Sequence, residues 1–458
     1  MSRSRASNLG RLAGVVVAVL AGLAAPRTAG AHQILAIYES RLPLAVYLAG
    51  AAAAVGLSFA FVLLRDIRAT PAVDDGRRRS LPGWLRLGLR LLGVLAWLWI
   101  IAQGIFGGGA SDAEVTRLFL WVYGWVGLAL VSAFVGPAWH WLDPFSTLHD
   151  VLAAGLRALR VPPFERTPYP ESLGRWPAVI GFAALIWLEL VAQGGGSKTL
   201  FVIVVGYTAF TLAMMAQFGR DEWRARGEIF SVWYGLIGRP APFAVADQGR
   251  ALRRRPFASG LLEPGWRRED LVLVGLGTGS ILFDGLSQTA FWVGIFGLPN
   301  TLVQTALLTV FLGVLVLLAL GVSLLVGIAA TGAGLLPIAI GYLMAHYLTY
   351  LFIEGQRIVV ALSDPLQRGA NLFGTAFFQP TGAWLPPGLV WTVQLAAVVG
   401  GHMLGAWGGH VVAARHLADA GGVRELRLRQ VPLAVVMVGL TTLTLWSLGQ
   451  ALFKPASG

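Results

Sequence analysis

The strongest constraint on this chain is a stretch of 69 residues, 285–353, that contains no Asp, Glu, Lys or Arg. As one α-helix the stretch would be about 100 Å long, more than three times the ~30 Å hydrocarbon core of a bilayer. It must therefore fold back on itself in an apolar medium. Across the whole chain 56% of the residues are hydrophobic and only 13% are charged, about half the charged share of a soluble protein. The sequence predicts an all-α, polytopic integral membrane protein embedded in the lipid bilayer.

Ten segments are long and apolar enough to cross a membrane, and they are expected to form one transmembrane domain, residues 32–458. Residues 331–334 are predicted to form the turn between the seventh and eighth spans. Two other stretches, 145–159 and 224–239, carry apolar residues at helical spacing among charged ones and are predicted to be interfacial helices. The ten segments are 43–64, 91–109, 118–139, 176–193, 199–219, 271–295, 302–330, 335–353, 389–414 and 431–453.

The formal net charge of +12 is explained by membrane topology, so no nucleic-acid partner is expected. The loops predicted to be cytoplasmic carry 25 of the 35 Lys and Arg residues, whereas the segments predicted to be external carry five. Because Lys and Arg accumulate in the cytoplasmic loops of membrane proteins, both ends of the mature chain are predicted to lie outside. The location that fits this pattern is the inner membrane of a bacterium.

The amino terminus has the features of a signal peptide, predicted to span residues 1–31. Three arginines precede an uncharged run at 12–26, and Ala29-Gly30-Ala31 supplies a cleavage site. Cleavage there makes His32 the new amino terminus, whose amine and imidazole together suit a copper ion. The alternative is that His32 is simply the residue that follows the cut.

The chain contains no cysteine, which excludes disulfides, thiolate metal sites and cysteine nucleophiles. Any metal must therefore be held by histidine, carboxylate or backbone oxygen. Neither haem nor a nucleotide is expected. His402 and His416 have a spacing seen in membrane cytochromes, but no matching histidine pair occurs on another helix, and no P-loop is present.

Ionisable groups inside a span are costly and are functional candidates by default. In the eighth segment His346, Tyr350 and Glu354 follow one another at intervals of four, on one helical face, and Arg357 comes three residues later. One interpretation is that this stripe lines an outward-facing cavity. The other is that it makes hydrogen bonds between helices and a local Glu354–Arg357 ion pair.

Two more groups are predicted to lie at a depth similar to that of His346. Counted from the cytoplasmic ends of their helices, Asp284, His346 and His402 lie about 16–20 Å into the membrane. If their helices are neighbours, the three form either a site for a divalent metal or a proton relay. Gln288 is expected beside this site, and Glu189 is expected to line the same cavity.

Several stretches resemble a family of bacterial polytopic membrane proteins known as fenitrothion hydrolases. The resemblance implies cleavage of an organophosphorus triester, and its motifs bring forward Asp284, His346, Glu354, Arg357, Asp364 and His402 without assigning them roles. The matching stretches are LDPFSTL (142–148), RGEIFSVWYGLIGRPAPF (226–243), FDGLSQTAFW (283–292), AHYLTYLFIEGQ (345–356), SDPLQRGANLFGTA (363–376) and GHMLGAW (401–407).

Two functions follow as hypotheses, and both leave the oligomeric state open. The first is a membrane-embedded hydrolase in which a metal-activated water attacks a small apolar triester. The second is a proton- or metal-coupled transporter, or a copper-handling membrane protein, that uses the same groups. The enzymatic hypothesis assigns catalysis to Asp284, His346, Glu354 and Arg357, substrate contacts to Tyr350, Gln288, Glu189 and Asp364, and metal ligation to His32, Asp284, His346 and His402.

Overall fold

A computed structural model describes residues 49–50, 52–53, 56–58, 78–108, 114–161, 165–192, 197–246, 249, 251–417 and 423–448. Over this part the chain is mainly helical, and nine of its helices are long and apolar enough to cross a membrane. These nine correspond to the last nine predicted spans. The first predicted span, 43–64, lies largely outside the described residues, as do the signal peptide and His32. The all-α, polytopic membrane class is confirmed.

The helices are numbered here along the chain. They are α1 (Gly83–Phe106), α2 (Val115–Phe134), α3 (Trp139–Leu142), α4 (Pro144–Ala158), α5 (Trp176–Leu190), α6 (Ser197–Phe218), α7 (Arg220–Arg226), α8 (Ile229–Ile237), α9 (Arg268–Ser287), α10 (Ala290–Phe296), α11 (Thr301–Val326), α12 (Ile328–Glu354), α13 (Arg357–Ser363), α14 (Pro387–Leu417) and α15 (Val423–Leu448).

The turn predicted at residues 331–334 is wrong, because the chain turns at Gly327 instead. Gly327 has a φ of 89°, in the left-handed region that glycine adopts without strain. The small residues at 331–334 lie inside α12 and serve helix packing, as small residues commonly do in membranes. A Cβ on Gly332, for example, would lie 2.3 Å from the ring of Trp266.

The predicted span 271–295 is divided in two. The α9 helix ends at Ser287, and Thr289 caps the following helix by accepting a hydrogen bond at Oγ1 from the backbone N–H of Trp292 (3.1 Å). A side chain that satisfies a free N–H at a helix start favours a new helix over continuation of the old one. Asp284 consequently lies in the last turn of α9.

Helices α12 and α14 form the most extensive helix pair of the described chain. Gly341 and Gly401 face each other across it. A Cβ on Gly401 would lie 2.5 Å from the carbonyl oxygen of Pro337, and one on Gly341 would lie 2.4 Å from that of Ala397. Only glycine permits this approach, and the contact fixes the relative height of the two helices.

The middle of α2, Leu118–Leu128, is wound as a π-helix and packs against α12. From this segment the Tyr123 hydroxyl donates a 2.6 Å hydrogen bond to the carbonyl of Gly355, just beyond the end of α12. The bond holds the turn between α12 and α13, where the polar stripe ends.

The opposite end of the bundle is rich in arginine and contains a small sheet that sequence reasoning did not predict. Strands β1 (Arg78–Ser80), β2 (Phe243–Ala246) and β3 (Ala251–Arg254) pair antiparallel in the order β1-β3-β2. The interfacial helix predicted at 145–159 is found as α4, which exposes the apolar side chains of Val151 and Leu152.

The single interfacial helix predicted at 224–239 is wrong. The chain forms two helices there, α7 and α8, and α8 is buried in the protein. Glu228 separates them because its carboxylate caps α8, accepting from the N–H groups of Phe230 (3.1 Å) and Ser231 (2.6 Å). The Trp233 ring packs in the core against that of Phe182, with the ring centroids 4.4 Å apart and the planes tilted by 37°.

Candidate functional site

Asp284 is the centre of a polar cluster in the apolar bundle. Its Oδ2 lies 3.0 Å from Nε2 of His346 and accepts a 2.8 Å hydrogen bond from the hydroxyl of Tyr347. Its Oδ1 accepts a 2.6 Å hydrogen bond from the side-chain amide of Gln288. Both carboxylate oxygens are thus held by donors from α12 and from the end of α9, which stabilises charge on a group with only 14% of its side chain exposed. The sequence left open whether these helices are neighbours; in the structure α9 and α12 are, and Asp284, His346 and Gln288 lie together.

His346 is buried, with 2% of its surface exposed. Its Nδ1 is also buried and has no hydrogen-bond partner among the described residues. Gly285 makes the approach of α9 possible, because a Cβ there would lie 3.1 Å from Cε1 of His346 and 3.0 Å from the hydroxyl of Tyr342. When Nε2–H of the neutral His346 ring donates its hydrogen bond to Asp284, the lone pair of the ring is on Nδ1, which can accept a proton.

Further polar groups continue from Asp284 along α12. The rings of Tyr347 and Tyr350 are 6.0 Å apart. Glu189, at the end of α5, lies within electrostatic range of Asp284 and both tyrosines, and its Oε2 is buried without a hydrogen-bond partner among the described residues. Tyr350 is also close enough to Glu354 to interact with it electrostatically, so polar groups recur along α12 from Asp284 to Glu354.

The series ends in a local ion pair between Glu354 and Arg357. Nε of Arg357 lies 2.6 Å from Oε2 of Glu354, and both side chains are partly exposed. This pairing is the one that the second interpretation of the stripe predicts. Glu354 and Arg357 therefore form the more exposed end of the polar series, and Asp284 and His346 form its less exposed end.

His402 is placed apart from Asp284 and His346. Its Nδ1 bonds the carbonyl of Val398 on its own helix, 2.7 Å away. The residue of α14 that reaches the height of His346 is Gln394, which donates 2.8 Å to the carbonyl of Ala345. His402 directly follows Gly401, which faces Gly341, five positions before His346 on α12, so it lies about 8 Å from His346 along the axis. The Gly341–Gly401 contact fixes this offset, which the estimate of depth from helix ends did not include.

The described residues include no group of three or more His, Asp or Glu side chains arranged to hold a metal ion. Asp284 and His346 supply one carboxylate and one imidazole, and the two atoms that face each other are joined by a hydrogen bond. Protein-held metal sites normally use three or more ligands. The predicted metal ligand set is therefore not assembled by this part of the chain, and His32 lies outside it.

Asp364 has a local role in the loop that follows α13. Its two carboxylate oxygens accept hydrogen bonds from the backbone N–H groups of Arg368 (2.9 Å) and Gly369 (2.8 Å). This pattern stabilises a turn. Asp364 was predicted to contact the substrate. In the structure its carboxylate is instead hydrogen-bonded within its own loop.

A second buried polar cluster lies at the arginine-rich end. Asp143 caps α4, accepting from the N–H groups of Phe145 and Ser146, and also pairs with Arg224 at 3.2 Å. Burial and the nearby carboxylate of Glu228 raise the pKa of Asp143 to about 6. Since Asp143 and Glu228 both cap helices, the stretches 142–148 and 226–243 have clear roles in folding.

His140 belongs to the same cluster. Its Nδ1 lies 3.1 Å from Nη2 of Arg224. Burial, and secondarily the guanidinium of Arg224, lower the pKa of His140 to about 3. The ring is therefore neutral at physiological pH and accepts a hydrogen bond from the arginine.

Tyr347 is the principal site residue that sequence reasoning missed. It directly follows His346 and so lies about 100° around the helix from the predicted stripe, yet it bonds the same carboxylate. The neighbouring helix α9 packs between the helix face that carries His346 and the one that carries Tyr347, so Asp284 contacts both side chains. The sequence signal that could have identified Tyr347 is its polar hydroxyl group within a membrane span that has no charged residues.

The fold and this cluster define a polytopic, all-α membrane protein with a buried Asp–His pair among its spans. Comparison with known proteins finds no matching family model, no matching curated protein and no matching solved structure.

Proposed function

We propose that the protein hydrolyses a small apolar ester inside the membrane, with His346 as the general base and Asp284 as its partner. The observation that carries this proposal is the 3.0 Å contact between Asp284 and His346 together with the unpartnered Nδ1. A carboxylate on one imidazole nitrogen fixes the tautomer and stabilises the imidazolium that forms when the other nitrogen takes a proton. The resemblance to fenitrothion hydrolases names the substrate class as organophosphorus triesters.

The reaction that fits these groups is direct attack by water. The water oxygen forms a bond to phosphorus while Nδ1 of His346 takes one of its protons. The bond from phosphorus to the aryl oxygen breaks, and the phenolate leaves with the electron pair. The second proton of the water leaves the new P–OH group for the aqueous phase, so the products are a phosphate diester anion and, after the imidazolium returns its proton, a phenol. Tyr347 and Gln288 keep the Asp284 carboxylate in place throughout.

An intramembrane site has a physical reason in this reaction. A triester has no charge and partitions into lipid, so its concentration beside the bundle exceeds that in water. The diester product is charged and leaves the apolar region. Binding of the substrate and departure of the product are thus both favoured by the surroundings.

Proton-coupled transport is the second candidate, and a different observation favours it. The groups Asp284, Tyr347, Tyr350, Glu189 and Glu354 form a series from the buried pair to the partly exposed Glu354–Arg357 ion pair. Buried carboxylates and hydroxyls in series are typical of proton pathways in membrane transporters. Transport requires no bond cleavage, so the two proposals predict different products.

The two functions are separated by assaying one preparation in two ways. Protein purified in detergent is incubated with a chromogenic dialkyl nitrophenyl phosphate, and nitrophenolate release is followed. The same protein in liposomes containing a pH-sensitive dye is tested for proton movement after a pH jump. Release by the wild type but not by a parallel His346→Gln preparation supports hydrolysis. Proton movement that depends on His346, without release, supports transport. If neither occurs, both proposals are wrong.

A further inference from the structure

The segment between α13 and α14, residues 364–386, contains a run of apolar and aromatic residues that the proposed site does not use. From residue 369 to residue 414 the chain has no Asp, Glu, Lys or Arg. A connecting loop in water is ordinarily polar and charged, because its backbone and side chains are solvated. An uncharged, aromatic loop therefore needs another explanation.

The inner side of the loop is held by a network of hydrogen bonds. Oγ of Ser363 donates to Oδ1 of Asn371 (3.0 Å) and accepts from the N–H of Phe373 (3.2 Å). Further along, the Gln356 side chain donates to the carbonyl of Thr381 (2.9 Å). These bonds define the path of the backbone, so the outward direction of its apolar side chains is fixed.

The outer side of the loop presents large apolar side chains. Phe377 is 85% exposed, Phe373 70%, Leu372 66% and Trp384 55%. Four such side chains on one ordered loop form an apolar patch of the kind that marks contact with a membrane or a protein partner. Their surroundings decide between these two partners.

The patch is continuous with the part of the protein that crosses the membrane. The ring of Trp384 packs edge-to-face on that of Phe352, with centroids 5.7 Å apart. Phe352 is itself exposed near the end of α12, a helix long and apolar enough to cross the membrane, and the next such helix, α14, begins at Pro387. Tryptophan and other aromatic residues concentrate at this level because their rings suit the interface between lipid and water.

We infer that loop residues 372–384 insert into the lipid interface, in the leaflet at the Glu354 end of the bundle. Phe377, Phe373 and Leu372 reach the acyl-chain boundary, and Trp384 lies at the headgroup level beside Phe352. The missing charges favour lipid over a protein partner, because a protein-binding loop of this length would ordinarily carry polar groups at its rim. The inference does not depend on the proposed hydrolysis.

The chain has no cysteine, so single-cysteine variants can be labelled without altering the background. Phe377→Cys and Leu372→Cys are each spin-labelled in protein reconstituted into phosphatidylcholine–phosphatidylglycerol liposomes. Collisions of the label with oxygen, which concentrates in lipid, and with a water-soluble nickel chelate are compared. Leu317→Cys, 69% exposed on α11, serves as the lipid reference. Glu171→Cys, with a side chain 87% exposed, serves as the water reference.

The expected result is a ratio of oxygen to nickel collisions at both loop positions that is several-fold higher than at Glu171→Cys and below that at Leu317→Cys. Two positions are used so that failure of one variant to fold does not remove the test. Nickel collisions equal to those at Glu171→Cys at both positions would place the loop in water and overturn the inference. Protection from both reagents would also overturn it, since it would indicate a protein covering the loop.

Discussion

Nε2 of His346 lies 3.0 Å from Oδ2 of Asp284, although the two residues are 62 positions apart and belong to different membrane-crossing helices. The contact exists because Gly285 lets α9 approach the His346 ring closely. In an apolar medium a lone carboxylate is strongly disfavoured, and the imidazole, phenol and amide around Asp284 compensate for its burial. The pair joins two helices and leaves one ring nitrogen able to accept a proton.

Replacing Tyr347 with Phe tests whether the network around Asp284 supports activity. The change removes the 2.8 Å hydrogen bond to Asp284 and leaves the ring. We expect roughly a five- to tenfold loss of turnover, equivalent to about 1 kcal/mol for one hydrogen bond. Tyr342→Phe is the matched control, because its hydroxyl pairs with Ser447 and not with Asp284. Equal losses in the two variants would contradict a specific role for Tyr347.

Much of the fold could be predicted from the sequence, because apolar length alone identifies a span. The positions of breaks were harder to predict. Hydropathy placed the turn between the seventh and eighth spans several residues too late, because the left-handed backbone angle of Gly327 sets its position. Hydropathy also joined α9 and α10 into one span, because the break between them depends on the capping side chain of Thr289. Burial of α8 also depends on tertiary packing, which outweighs its amphipathic appearance.

The candidate site was predictable in part for a similar reason. Helix length predicted Asp284 and His346 at similar depths, but only the structure shows that their helices are neighbours. Depth did not place His402, because the height of α14 against α12 is set by the Gly341–Gly401 contact, to within a fraction of a turn. Tyr347 was missed because a pattern confined to one helical face omits a residue that a neighbouring helix reaches from the side.

The close contact of α12 and α14 predicts opposite effects of alanine at two adjacent glycines. Gly401→Ala places a methyl group 2.5 Å from the carbonyl oxygen of Pro337 and should destabilise the protein by about 1–3 kcal/mol. Gly400→Ala meets nothing within 4 Å and should be neutral or stabilise by up to about 1 kcal/mol, the helix preference of alanine. Thermal denaturation in detergent measures both. A Gly401→Ala protein as stable as Gly400→Ala would argue against this packing.

His140 predicts a loss of stability on acidification. Its folded pKa of about 3 lies below the unfolded value near 6.5, so only the unfolded chain takes up the proton between these values. The contribution of His140 to stability is therefore constant above about pH 6.5 and falls as the pH decreases towards 3. Between pH 7 and pH 5 wild type should lose about 1 kcal/mol more than His140→Gln, with the effect reduced by partial exposure of the ring. Asp143 is common to both proteins, so their difference isolates His140, and parallel pH profiles would contradict the prediction.

The distribution of arginines predicts which end of the bundle faces the cytoplasm. Arg254→Cys, on β3, should react with a membrane-impermeant maleimide only after cells are permeabilised. Arg368→Cys, in the loop after α13, should react in intact cells. Both positions are exposed arginines, so the comparison is matched in residue type and accessibility. Labelling of Arg254→Cys alone in intact cells would reverse the predicted orientation.

The most direct test of the proposed site compares the same substitution at two buried histidines. His346→Gln removes the base that faces Asp284, whereas His402→Gln changes a buried histidine bonded to its own helix. Turnover of a chromogenic phosphotriester is measured for each purified variant and divided by its folded fraction. We predict that His346→Gln loses about 100-fold or more of the wild-type rate, the usual contribution of a general base, and that His402→Gln stays within a few-fold of it. Full activity in His346→Gln, or equal losses in both variants, would contradict a functional role for the Asp284–His346 pair.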